Sequence, residues 1–145
     1  MIQSEDYTWP AFVAGAKSVT RRDWKPQTAA HYVQGFVFDC WSNSPYAGGV
    51  KIGQARVTQT AYRENLRHCP DADYAGEGFA WMNAHPQAIP IGARKQVWAK
   101  DDCSLAAFGR WRKTGLTLWA VRFEIVSIED SAVERLEEIL SQGVT

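Results

Sequence analysis

The chain has no charge of either sign to spare, since 16 Lys and Arg residues are matched by 16 Asp and Glu residues over 145 positions. A surface without net charge does not wrap duplex nucleic acid through massed counterion release, so any nucleic-acid contact has to be local. Cysteine is scarce. Cys40, Cys69 and Cys103 form no CxxC pair, and an odd number of thiols suits a reducing compartment better than a disulfide framework. His31, His68 and His85 stand apart, with no HxxxH or CxxH spacing, and Asp71-x-Asp73 beside Pro70 reads as a turn and helix cap rather than a magnesium pair. No apolar run approaches the ~20 residues needed to cross a bilayer, and residues 1–6 are acidic where a leader would be basic. These absences lead to an expected cytoplasmic protein without membrane contact, metal or cofactor.

What is present points to one domain over residues 1–145, large enough for its own core. Seven tryptophans supply core mass or flat faces on which bases stack. Thr8 and Pro10 open a short helix, with Gly15 as its left-handed exit. A strand over 36–41 should pair antiparallel with a second over 50–62, whose Gly53 marks a bend or bulge, and a loop over 42–49 joins them. A short helix is expected over 28–33. Asp71 or Asp73 caps a helix running through Trp81, which puts Glu77 and Trp81 on one face at i, i+4. A proline-rich loop covers 85–94. Ser104 caps a helix with Leu105, Phe108 and Trp111 inward and Gly115 as its stop. The strongest strand is 116–128, with Trp119, Val121, Phe123 and Ile125 on one face. Ser131 to Glu134 is a capping box that opens a terminal helix, which Gly143 ends. Short strands with hairpin links and no regular βαβ alternation predict an α+β fold, a mixed barrel of five or six strands flanked by short helices and closed by a C-terminal helix.

The richest chemistry lies in residues 15–22, where Lys17, Thr20, Arg21 and Arg22 fall within eight positions. Lysine serves as a base when desolvation lowers its pKa, threonine attacks when a base sits beside it, and arginine grips phosphate in forked geometry. In one straight strand Lys17 and Thr20 would point to opposite faces. Joint chemistry therefore needs a bend, which a helix end at Lys17 and a strand from Val19 would supply, leaving Thr20 and Arg22 on one face. As a loop lysine, Lys17 is expected to carry little stability. Trp24 and Lys25 follow directly, an aromatic face and a cation beside the two arginines.

The pattern Gly15-x-Lys17-x-x-Thr20-x-Arg22 resembles the signature of the ASCH domains, a branch of the PUA-like barrels. The resemblance continues through residues 35–39, 50–57, 77–79 and 118–124, and so covers roughly residues 10 to 128. It implies a PUA-like barrel, and its small-enzyme branch removes the acetyl group of N4-acetylcytidine with a lysine and a threonine at the positions of Lys17 and Thr20. That branch also uses a glutamate beyond the second hairpin strand, and Glu77 matches it best. Glu77 as a carboxylate that neutralises Lys17 stands beside that reading. Members of the branch are shorter, lacking the 85–94 loop, the Leu105 helix and the terminal helix.

The sequence thus predicts an amidohydrolase on an acylated nucleoside. Neutral Lys17 takes a proton from Thr20 or from water, backbone amides of the 15–20 turn hold the oxyanion, and Glu77 carries the proton to the leaving amine. Arg21, Arg22, Trp24 and Lys25 bind the substrate. A module that binds or cleaves single-stranded RNA through the same cleft is the alternative.

Overall fold

The computed structural model describes residues 2–4, 8–42, 48–89 and 103–142. Among these, five strands form one mixed sheet: β1 (Ile2–Ser4), β2 (Val19–Arg22), β3 (Val37–Trp41), β4 (Lys51–Asn65) and β5 (Thr117–Ile128), in the order β1-β3-β4-β5-β2. β1 runs parallel to β3, and the other four strands pair antiparallel and curl into a half-barrel. The α+β class and the mixed sheet are as expected. The ladder ends at β1 and β2 and does not close into a ring among the described residues.

Alternation is clearest in β5, which pairs with β4 on one side and β2 on the other. Val121 and Phe123 are buried on one face and Trp119 and Ile125 half-buried beside them, as the period-two pattern requires. β4 continues past the expected end at Tyr62 to Asn65, whose side-chain amide donates to the Gly115 carbonyl at 2.8 Å. Gly53 sits between two register slips, at Cys40/Trp41 and at Gln54/Ala55. A Cβ there would run into the Ser127 carbonyl oxygen and the Phe12 ring. The bend predicted at this glycine is therefore a close approach of β5 to β4.

Six helices surround the sheet among the described residues: α1 (Trp9–Val13), α2 (Pro26–Ala29), α3 (Asp73–Gly76), α4 (Phe79–Ala84), α5 (Leu105–Lys113) and α6 (Asp130–Gln142). None is long and apolar enough to cross a membrane. One core cluster joins Trp9, Phe12, Tyr32, Phe38, Ile52, Val57, Val121, Phe123 and Leu136. A second joins Leu66, Cys69, Phe79, Met82, Phe108 and Trp111 under α4 and α5. All three cysteines are buried free thiols.

Several expectations are corrected. The helix expected through Glu77 and Trp81 is two helices, because Gly78 at φ +93° interrupts it, and Ala72 rather than an aspartate takes the N-cap of α3. α2 starts at Pro26, whose fixed φ suits a first turn, and ends before His31. α6 begins at Asp130, so Ser131 lies inside its first turn instead of capping it. Leu105 is exposed, and the inward stripe of α5 is Ala107, Phe108 and Trp111, with Ser104 accepting from the Ala107 amide at 3.2 Å. Parts of the expected loops over 42–49 and 85–94, and Gly143, lie outside the described residues.

Gly53→Ala is expected to cost about 1–3 kcal/mol by overpacking the β4–β5 contact. Gly109→Ala, in open space inside α5, should add about 0.5–1 kcal/mol. Urea unfolding of both variants checks the pair.

Candidate functional site

The segment after α1 is fixed from three sides. Gly15 at φ +78° turns the chain, the Ala16 amide donates to the Ala11 carbonyl at 2.8 Å, and the Ser18 amide donates to the Gly76 carbonyl at 2.8 Å. The Ser18 carbonyl in turn accepts from the Phe123 amide at 2.9 Å. Lys17 is thereby strapped between the end of α3 and β5. It is only 5% exposed, not a solvated loop lysine, and its Nζ donates to the Glu77 backbone carbonyl at 2.9 Å.

Glu77 stands at the C-terminal end of α3, and a Cβ on the left-handed Gly78 that follows would run into Ala11 and meet Thr8 and the Lys17 stem. The break turns Glu77 inward, where 3% of it is exposed. Burial holds its carboxyl above the ordinary carboxylate range, against the pull of Lys17, Arg21 and Arg22. Its Oε2 lies 3.8 Å from Arg21 Nη1 and has no hydrogen-bond partner among the described residues.

An ion network lies beside it on one face of the sheet. The Asp73 carboxylate accepts from Arg21 Nη2 at 2.6 Å, and from both terminal nitrogens of Arg122, Nη1 at 3.0 Å and Nη2 at 2.8 Å. Arg21 Nη2 also reaches Glu64 at 2.7 Å, and Arg122 Nε donates to the Tyr62 hydroxyl at 3.0 Å. Burial acts to raise the Asp73 pKa, yet the bonds from Arg122 and Arg21 outweigh it and hold the carboxyl below its ordinary 3.8. Burial pushes the Cys69 thiol up to about 11, with Arg21 opposing, so this cysteine stays protonated beside Asp73.

The predicted residues divide between the two faces of β2. Val19 and Arg21 face the network, whereas Thr20 pairs with Val121 and Arg22 with Trp119 on the opposite face, toward the first core cluster. Lys17, Glu77 and Arg21 come together. The Thr20 hydroxyl is fully buried and has no hydrogen-bond partner among the described residues, so it bonds directly to neither Lys17 nor Glu77. Arg22 is half-buried, with Nη1 donating to the Arg21 carbonyl at 3.1 Å, and Lys25 is exposed ahead of α2. Trp24 packs on the core and stacks on Tyr32, with ring centroids 4.5 Å apart, so one of its faces is already covered.

Sequence reasoning missed Asp73, Arg122, Glu64 and Tyr62 as parts of this neighbourhood. Arg122 interrupts an apolar strand, which is the one local signal for it. An open depression of about 450 Å³ lies against the network, lined by Gly15, Lys17, Ser18, Asp73, Gly76 and Arg122 among others. That volume is in the range of small-molecule sites. No group of His, Cys, Asp and Glu side chains able to hold a metal ion occurs among the described residues.

Asp73→Asn should cost about 3 kcal/mol or more at pH 7, because it leaves Arg21 and part of Arg122 without their anion. Since the folded Asp73 pKa is depressed, its contribution is present above about pH 4 and is lost as pH falls through the lower folded value. Unfolding followed from pH 7 to 2 should therefore show a shallower acid limb for the variant than for the wild type.

No family model matches the chain, and no curated protein matches it. Among solved structures the fold is similar to the crystal structure of protein EF3133 from Enterococcus faecalis V583, of family DUF984, with a TM-score of 0.50 over 90% of this chain and 83% of that one. Identity is 13%, so the likeness extends to the fold alone.

Proposed function

We propose that this chain is an ASCH-type, PUA-like protein that hydrolyses the amide of an acylated nucleoside such as N4-acetylcytidine, with Lys17 and Glu77 as the reacting pair. The observation that carries the reading is the burial of Lys17 against Glu77 beside an open depression, with the Glu77 carboxyl held toward its protonated form. A lysine and a protonated carboxyl in a desolvated site are a base and an acid for amide cleavage.

In this scheme Lys17 as the free amine takes a proton from the attacking hydroxyl, of water or of Thr20, and the acyl carbon becomes tetrahedral. Glu77 then gives its proton to the departing amine as the C–N bond breaks. The amides of Gly15, Ala16 and Ser18 are committed to Phe12, Ala11 and Gly76, which removes them as oxyanion donors. Arg21 replaces them, since its Nη1 makes no hydrogen bond among the described residues and already faces the Glu77 carboxyl. The separation of Thr20 from Glu77 across β2 favours water as the nucleophile.

Lys17→Met, which keeps the buried stem, and Glu77→Gln should each slow release of cytidine from N4-acetylcytidine by about 10²–10⁴-fold. Thr20→Val removes a hydroxyl that has no partner among the described residues and should leave stability unchanged or slightly raised. Retained activity in Thr20→Val assigns the attack to water, and its loss assigns it to Thr20. Activity should fall as pH rises through the elevated Glu77 pKa, since the carboxyl must carry the proton that it gives to the amine. A wild type inert toward acylated cytidines at every pH would remove the hydrolase reading and leave the noncatalytic RNA-binding module.

A further inference from the structure

Trp119 is a half-buried tryptophan that belongs to neither core cluster. It lies at the middle of a cross-strand row. Arg63 on β4 is its direct partner on one side and Arg22 on β2 on the other. Directly opposed residues of antiparallel strands project from the same face, so two guanidiniums flank one indole. The strand spacing puts the outer two backbones roughly 10 Å apart. The indole is fixed by its Nε1, which donates to the Trp24 carbonyl at 3.1 Å. Thr20 follows on the same face, one step further along β2.

Arg63 is exposed and, among the described residues, meets the Trp119 ring and no carboxylate. Its Cζ stands 5.8 Å from the ring centroid, near the outer limit of a cation–π contact. Arg135 over Trp9 and Arg112 over Phe108 are closer, at 4.9 and 4.7 Å, and Arg112 is also tied to Asp71 at 2.7 Å. Arg63 is thus the least committed of these three guanidiniums, and it lies beside an indole that is part of neither core cluster.

We propose that the Arg63–Trp119–Arg22 row is a binding strip for a nucleoside monophosphate, separate from the Lys17-lined depression on the other face of the sheet, with the planar base on Trp119 and the phosphate gripped by the guanidiniums. A forked cation recognises a phosphate bidentately, and an aromatic side chain accepts any base. One indole between two arginines fits one base and one phosphate. A run of phosphates would need more cations than this neutral chain gathers at the strip.

The inference rests on the nucleoside reading for the choice of probe. Its test needs no turnover, so an inert protein that still prefers the phosphorylated ligand separates this proposal from the hydrolase. Isothermal titration of the intact chain would compare cytidine 5′-monophosphate, cytidine, inorganic phosphate and a five-nucleotide RNA without terminal phosphates. The monophosphate is expected to bind at least tenfold more tightly than cytidine. Arg63→Ala, at an exposed position, should abolish that preference, and Trp119→Leu should weaken both ligands, with thermal unfolding confirming that each variant is folded. Equal affinity for monophosphate and cytidine, or a preference that survives Arg63→Ala, overturns the strip. Inorganic phosphate binding as tightly as the monophosphate would reduce it to an anion site without base recognition and overturns the proposal as stated. Tighter binding of the unphosphorylated RNA would make an RNA strand the occupant and overturns it likewise.

Discussion

The Asp73 carboxylate, shared between Arg21 on β2 and Arg122 on β5, is the interaction on which the rest of the site depends. α3 is only four residues long and has no side-chain cap, so its own hydrogen bonds do not define its place. Two guanidiniums from adjacent strands pin its first residue to the sheet. That sets where its last turn delivers Gly76 and Glu77, and hence where Ser18 and Lys17 find their carbonyl partners. Such a cluster costs desolvation free energy and is a poor source of stability by itself. Its use is positional, since removing a partner strands a buried charge and the site has few alternative arrangements.

The charges of the cluster are nearly self-contained. Lys17, Arg21 and Arg122 face Glu64, Asp73 and Glu77, three of each sign. Asp73 holds two hydrogen-bonded guanidiniums and stays ionised, whereas Glu77 is almost fully buried and its Oε2 lacks a hydrogen bond among the described residues. The carboxyls at the two ends of α3 are thus driven in opposite directions.

Much of the scaffold was legible from local pattern. The alternation in β5, the β-branched run of β4, the left-handed Gly15 and the Ser104 cap report themselves because each depends on neighbours within a few residues. Lys17 and Glu77 were brought together through a resemblance, and the structure places them in contact. The ion network was not legible. Asp73 beside Pro70 has the appearance of a helix cap, and nothing nearby reveals partners 52 and 49 residues away. The split between α3 and α4 was hidden for a related reason. Glu77 and Trp81 satisfy a helical i, i+4 spacing, and the helix stops between them at Gly78, whose φ of +93° and nearness to Ala11 leave no room for a Cβ.

The alternation of one short strand then separates two kinds of contact. β2 is an edge strand of four residues, and its period of two sends Arg21 to the ion network and Thr20 and Arg22 to the opposite face. A motif that reads as one compact kit in sequence is distributed over both sides of a sheet. Lys17 escapes that alternation because it precedes the strand, and the Ala16 and Ser18 bonds set its direction instead. Trp24, the aromatic that the motif points to, is held by Tyr32, while its carbonyl anchors the indole of Trp119. The aromatic beside Arg22 is therefore Trp119, 97 positions further along the chain and opposite it in register, a neighbour that only strand pairing could reveal.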